Sequence, residues 1–295
     1  MHFSLFTICI ILYSVSNYSS LISSSSPVSD SCCQGISDGL VSRLAILLAL
    51  PIPPEAVSAQ QRSYVTYTLS NLYSNAPSAD ITLLEARNLF AAGGTTGFRT
   101  WDACLHLGVY LSSPSCGVLI AKRNVLELGA GTGYLSILCA KYLDAAHVTA
   151  TDGSDTLVAD MATNFYLNGL HDSTAIYATD LKWGHALLGG EQEEWNQGRQ
   201  IDVVLGADVT YDHTEIPALV ATLDDLIELF PSVQILIAAT IRHEKTFETL
   251  LGTCAMNGLV VEDVHFPVIP KDNQQGPFYS DLVPIRICSI RKISL

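Results

Sequence analysis

The stretch VLELGAGTGYLS, residues 125–136, runs from an apolar segment carrying one carboxylate into a turn with three glycines. A short apolar run, a glycine turn and a helical pattern in that order open a βαβ unit, where ligands sit off the carboxyl ends of the strands. Glycine there lets backbone approach a ligand closely. Gly129, Gly131 and Gly133 occupy the turn, but Tyr134 stands where a dinucleotide fingerprint needs its last small residue. Glu127, just before the turn, would set a carboxylate near a pyrophosphate, which like charge opposes. Both features favour a cationic ligand without phosphate. S-adenosylmethionine, with its ammonium and sulfonium groups, is such a ligand.

Working outward, short apolar runs alternate with amphipathic stretches: NVLELG, then 134–142, HVTATD, 155–168, TAIYATD, IDVVLGAD, 214–230, VQILIAAT and 243–257. That alternation predicts an α/β fold, a doubly wound and mostly parallel sheet with helices on both faces. GLVVEDVHF and VPIRICSI add two strands with no helix between them, predicting a hairpin at the sheet edge. Upstream, GLVSRLAILLAL, PEAVSAQQRSYVTYTLSNLYSN and SADITLLEARNLF read as helices, so residues 1–90 are expected to form an apolar, Ser-rich start with a small helical extension, and 91–295 the main domain.

A formal charge of -14 opposes a phosphate backbone, so nucleic acid is not an expected partner, whereas basic partners are favoured. Phe3–Val15 has the apolarity of a signal-peptide core, yet no Lys or Arg precedes Arg43 and no Ala-x-Ala site follows. It is too short to span a bilayer as a helix. The expectation is a cytoplasmic protein that engages no membrane, its oligomeric state left open with a monomer favoured. The eight cysteines form no CxxC pair, and the eight histidines form no HxH or HExxH. Reduced cysteines and no metal are therefore expected. Nor does a G-x-S-x-G or a G-x-x-x-x-G-K-[ST] motif occur.

Asp152 closes the second strand, where a carboxylate can accept hydrogen bonds from ribose hydroxyls. Asp180 and Trp183, in ATDLKWG, offer a polar edge and a flat apolar face for adenine. Asp208 and Tyr211, in GADVTYD, follow the fourth strand and can orient an incoming amine. With a sulfonium methyl already activated, positioning is the main demand on such a site.

ELGAGTG at Glu127–Gly133, TTGFRTWDACLHLGVYL at Thr95–Leu111 and ADVTYD at Ala207–Asp212 together resemble the family 16 group of seven-strand, Rossmann-like (class I) S-adenosylmethionine-dependent protein-lysine methyltransferases. TTGFRTWDA, DVTYD and AATIRHEKTFETL most resemble the subgroup acting on a lysine of translation elongation factor 2. The resemblance covers roughly Ile81 to the C-terminus; the Ser-rich start matches nothing in that subgroup. It implies that Trp101 closes over the methionine end of the cofactor, that Gly129, Ala130 and Gly131 line it by backbone, and that Ala207 floors the methyl group. It also implies a protein substrate, elongation factor 2. Methylation of another protein or a small amine, a non-catalytic binding module and a dehydrogenase are the alternative readings.

Overall fold

A computed structural model describes residues 38–49, 61–70, 72, 79–86, 96–114, 116–185, 187 and 195–293. The chain divides after Ser58 into two units, Met1–Ser58 and Ala59–Leu295. In the first unit the described residues form helix α1, Asp38–Ala49, as the pattern GLVSRLAILLAL predicts. The apolar segment Phe3–Val15 and the Ser-rich stretch after it lie outside the described residues.

The second unit is built on a seven-stranded sheet. Its elements in chain order are α2 (Asp102–Leu111), β3 (Asn124–Leu128), α3 (Tyr134–Tyr142), β4 (His147–Asp152), α4 (Asp155–Leu167), β5 (Ile176–Asp180), β6 (Val203–Ala207), α5 (Ile216–Leu229), β7 (Gln234–Thr240), α6 (Glu244–Met256), β8 (Leu259–Val264) and β9 (Ile285–Lys292). Strand order is β5-β4-β3-β6-β7-β9-β8. The pairs from β5 to β7 are parallel, and β9 enters antiparallel to both β7 and β8. The expected edge hairpin is therefore present, with its second strand on the inside.

Alternation along each strand separates two apolar layers. Val125, Val203, Leu205 and Ala238 face a core with α2, α3 and α4; Leu126, Leu128, Val204 and Ile237 face one with α5 and α6. Chain order reverses at β3, which has β4 on one side and β6 on the other, so a crevice opens at their carboxyl ends.

Two of the three expected N-terminal helices are not helices. Residues Ser63–Thr68 (β1) and Asp80–Glu85 (β2) pair as an antiparallel hairpin. Their sequences, SYVTYT and DITLLE, fit a period of two better than 3.6, with Ile81, Leu83 and Glu85 buried on one face. The hairpin packs on the sheet unit: Asn164 of α4 and Asn168, the residue that ends that helix, complete its free edge. Leu84 N–H donates to Asn164 Oδ1 (2.8 Å), Thr82 N–H donates to Asn168 Oδ1 (3.1 Å), and Asn168 Nδ2 donates back to Thr82 O (2.7 Å). Both strands of the hairpin lie within the unit Ala59–Leu295. Among the described residues no helix is long and apolar enough to cross a membrane.

Candidate active site

The glycine turn after β3 begins at Gly129 and hands over to α3 at Tyr134. All three glycines have positive φ: 64° at Gly129, 53° at Gly131 and 80° at Gly133. The turn is held by Ala130 N–H to Thr151 O (2.8 Å) and Gly131 N–H to Asp152 Oδ2 (3.1 Å). A Cβ at Gly131 would lie 3.0 Å from Gly97 O, and one at Gly129 2.8 Å from Val209 Cγ1 and 3.3 Å from Trp183. Bareness here lets the segment before α2 and the turn after β6 close on the glycines, in addition to any ligand they face.

These segments enclose a cavity of about 570 Å³ at the carboxyl ends of the strands. Trp101, Glu127, Gly129, Ala130, Gly131, Asp152, Trp183, Ala207, Asp208 and Tyr211 all line it. Asp180 does not: it is exposed at the end of edge strand β5, and its neighbour Leu181 lines the cavity instead. Alternation sends the two side chains to different sides.

Glu127 is buried beneath the first turn of α3, where its Oε2 accepts the Ser136 N–H (2.8 Å) and the Ser136 hydroxyl. Desolvation pushes its carboxyl up to about 8, against the opposing Ser136 bonds. Burial likewise raises Asp152, whose oxygens accept the N–H groups of Gly131 and Ser154 (3.1 and 3.0 Å). Among the described residues neither carboxylate has a Lys, Arg or His ion-pair partner. A bound cation is the counter-charge that would keep Glu127 ionised. Two carboxylates on the wall, a bare turn and the flat Trp183 fit the ammonium, sulfonium, ribose and base of S-adenosylmethionine.

Asp208, expected to orient an incoming amine, lines the cavity and is hydrogen-bonded on several sides. It sits at φ 53° and is 8% exposed. Its Oδ1 accepts Thr240 N–H (2.9 Å), and its Oδ2 accepts the Thr240 hydroxyl (2.9 Å), Ala103 N–H (3.4 Å) and Arg242 Nη2 (3.5 Å). The carboxylate ties the ends of β6 and β7 to the start of α2. Tyr211, half exposed, stands on the rim. Trp101 precedes α2, with Nε1 donating to Thr96 O (3.0 Å).

Several residues of the site have no signal in the glycine spacing or the strand ends. Thr100 Oγ1 lies 2.7 Å from Thr132 Oγ1 and donates to buried Glu85 (2.5 Å), which fastens the hairpin to the glycine turn. Thr96, Gly97 and Arg99 line the cavity beside Trp101. Only their place within TTGFRTWDA marked that segment. Cys104 also lines the cavity, its thiol pushed up by burial, and forms no disulfide, as is the case for Cys139, Cys254 and Cys288.

The lysine methyltransferase family matches residues 83–251. The protein-lysine N-methyltransferase EFM3 of Chaetomium thermophilum is 52% identical over 267 residues, covering 90% of this chain and 79% of that protein. EFM3 of Saccharomyces cerevisiae is 33% identical over 229 residues, covering 72% of this chain and 66% of that protein. The human protein-lysine N-methyltransferase EEF2KMT is 29% identical over 192 residues, 60% of this chain and 56% of that protein. With the cavity, its two carboxylates and a family match running from within β2 to within α6, the chain belongs to the lysine methyltransferase family, and its methyl donor is S-adenosylmethionine.

Proposed function

We propose that this methyltransferase acts on a lysine side chain of translation elongation factor 2, in the cytoplasm. The observation that carries the reading is the make-up of the cavity mouth: Thr96–Trp101 and Ala207–Asp212, two of the segments resembling the elongation factor 2 subgroup, both line it. The formal charge of -14 suits a basic protein partner. The relationship to the protein-lysine N-methyltransferases EFM3 and EEF2KMT supports a lysine of a protein as the methyl acceptor.

In this reading Glu127 faces the cationic amino-acid end of the cofactor, Asp152 accepts from its ribose, and Trp183 flanks its base. Bound S-adenosylmethionine supplies an electrophilic methyl group, so the chain's task is to hold the amine in line at about 3–3.5 Å. Ala207 leaves room at the end of β6. Asp208 fixes the turn that carries Tyr211, and the Tyr211 hydroxyl, half exposed at the rim, orients the amine. Incubation with radiolabelled cofactor and purified elongation factor 2 should label one lysine-containing peptide of that factor. Labelling of a different protein in whole lysate, with elongation factor 2 blank, would overturn the substrate assignment.

A further inference from the structure

A lysine side chain has a reference pKa near ~10.4, and its ammonium form has no lone pair to accept a methyl group. The residues at the substrate end of the cavity bear on how it arrives. The Trp101 ring carries two guanidinium groups, with Arg99 Cζ 4.5 Å and Arg242 Cζ 5.1 Å from its centre. Arg242 also brings Nη2 to 3.5 Å from Asp208 Oδ2. Trp101 and Asp208 line the cavity; Arg242 lies against both, its side chain 37% exposed. Asp208 already serves Thr240 and Ala103, so its negative charge is spread over donors and set against a guanidinium.

We propose that Arg242 is a positioning residue for charge: by neutralising Asp208 and, with Arg99, making the field at the substrate end positive, it causes the enzyme to receive the lysine as neutral amine rather than ammonium. The inference rests on the methyltransferase reading and not on the identity of the protein substrate. A positive charge nearby disfavours a second one, so the proton leaves to water as the side chain enters. The amine lone pair then forms the N–C bond, and the C–S bond breaks with its electron pair left on sulfur. The methylated ammonium so formed gives its extra proton to water.

Other charges contribute a background that Arg242 must outweigh locally. Asp212 and Glu215 line the rim with Tyr211, and Glu127 lines the inner wall. Lys182 and His185 line it from the segment after β5. Asp102, at the start of α2, is occupied by the Ser280 N–H (3.0 Å), and His243 and Glu244 follow Arg242 into α6. The rim acids draw in a lysine-bearing surface, whereas the Arg242 charge acts where Asp208 and Trp101 meet the cavity.

The test needs no turnover. Sinefungin carries an amine-bearing carbon where S-adenosylmethionine carries its methyl-bearing sulfur, so its amine takes the methyl's place, and S-adenosylhomocysteine has no amine there. Their affinity ratio, measured by calorimetry, reads the preference for amine or ammonium, because effects on the shared amino-acid end cancel. In the wild-type protein the ratio should move toward sinefungin as pH rises from about 7 to 9, as the neutral form grows. Arg242→Gln should favour sinefungin about tenfold at neutral pH and flatten that rise, and Arg242→Lys should keep the wild-type profile. A wild-type ratio that falls with pH would overturn the proposal even if Arg242→Gln proved unfolded. So would a folded Arg242→Gln protein with the wild-type ratio. Binding of neither ligand would instead sink the methyltransferase reading itself.

Discussion

Glu127 shows how one buried carboxylate couples pH to both stability and ligand. Its folded value of about 8 lies above the ordinary 4.5, so between those values the folded chain holds a proton that the unfolded chain releases. Stability contributed by the protonated form is fully present below about 4.5 and is lost as pH rises through 8. The ligand-free protein should therefore lose melting temperature between pH 5 and 8, at about 2–4 °C per kcal/mol, and Glu127→Gln should flatten that slope. The cationic cofactor favours the carboxylate, so its affinity should climb over the same range and its binding should release protons. Calorimetry in buffers of different ionisation enthalpy measures this directly, and equal heats would contradict it. Asp152 carries a separate expectation. Asp152→Ala removes acceptors for the Gly131 and Ser154 N–H groups and the proposed ribose contact, so cofactor affinity should drop about ten- to a hundredfold. Turnover at saturating cofactor should largely recover; unchanged affinity would leave Asp152 only a brace for the turn.

Among the elements, the β1–β2 hairpin has a larger share in the site than its distance in sequence suggests. Asn164 of α4 joins three parts: its Oδ1 accepts Leu84 N–H, its Nδ2 donates to Thr132 O (2.9 Å), and Thr132 lines the cavity. Asn164→Ala leaves buried backbone groups without these partners, which costs about 1–3 kcal/mol. The melting temperature should fall by several degrees and cofactor affinity should fall with it, because the glycine turn loses a brace. Asn164→Asp keeps the acceptor for Leu84 but not the donor to Thr132, so it should spare part of the stability while still weakening the cofactor. A variant as stable as wild type, with full affinity, would show that the hairpin is not coupled to the turn. The helical expectation for this region failed for a physical reason. Tyr, Thr, Ile and Leu at these positions are half-buried on a pleat whose partner edge is supplied by α4, and local propensity carries no information about that edge.

At the scale of the molecule, the cavity draws its lining from Thr96 to Glu215, all within the unit Ala59–Leu295. Removal of Met1–Ser58 should therefore leave cofactor affinity within severalfold of the full chain, measured by calorimetry on both. Loss of binding in a folded truncated protein would assign the first unit a part in the site. The sequence by itself determined the parallel core and the glycine turn, because strands buried on both faces read as continuous apolar runs and the turn requires positive φ at fixed spacing. It determined Glu127, Gly129 and Asp152 as cavity residues too, since strand ends and turns are local in the chain. Only the tertiary structure decided the rest. Asp208 became a tie between β6, β7 and α2, Asp180 fell outside the cavity, and Arg242 reached Trp101, 141 positions earlier by subtraction. Those outcomes depend on which strand ends become neighbours and which way a side chain turns between them, and periodicity along a single strand encodes neither.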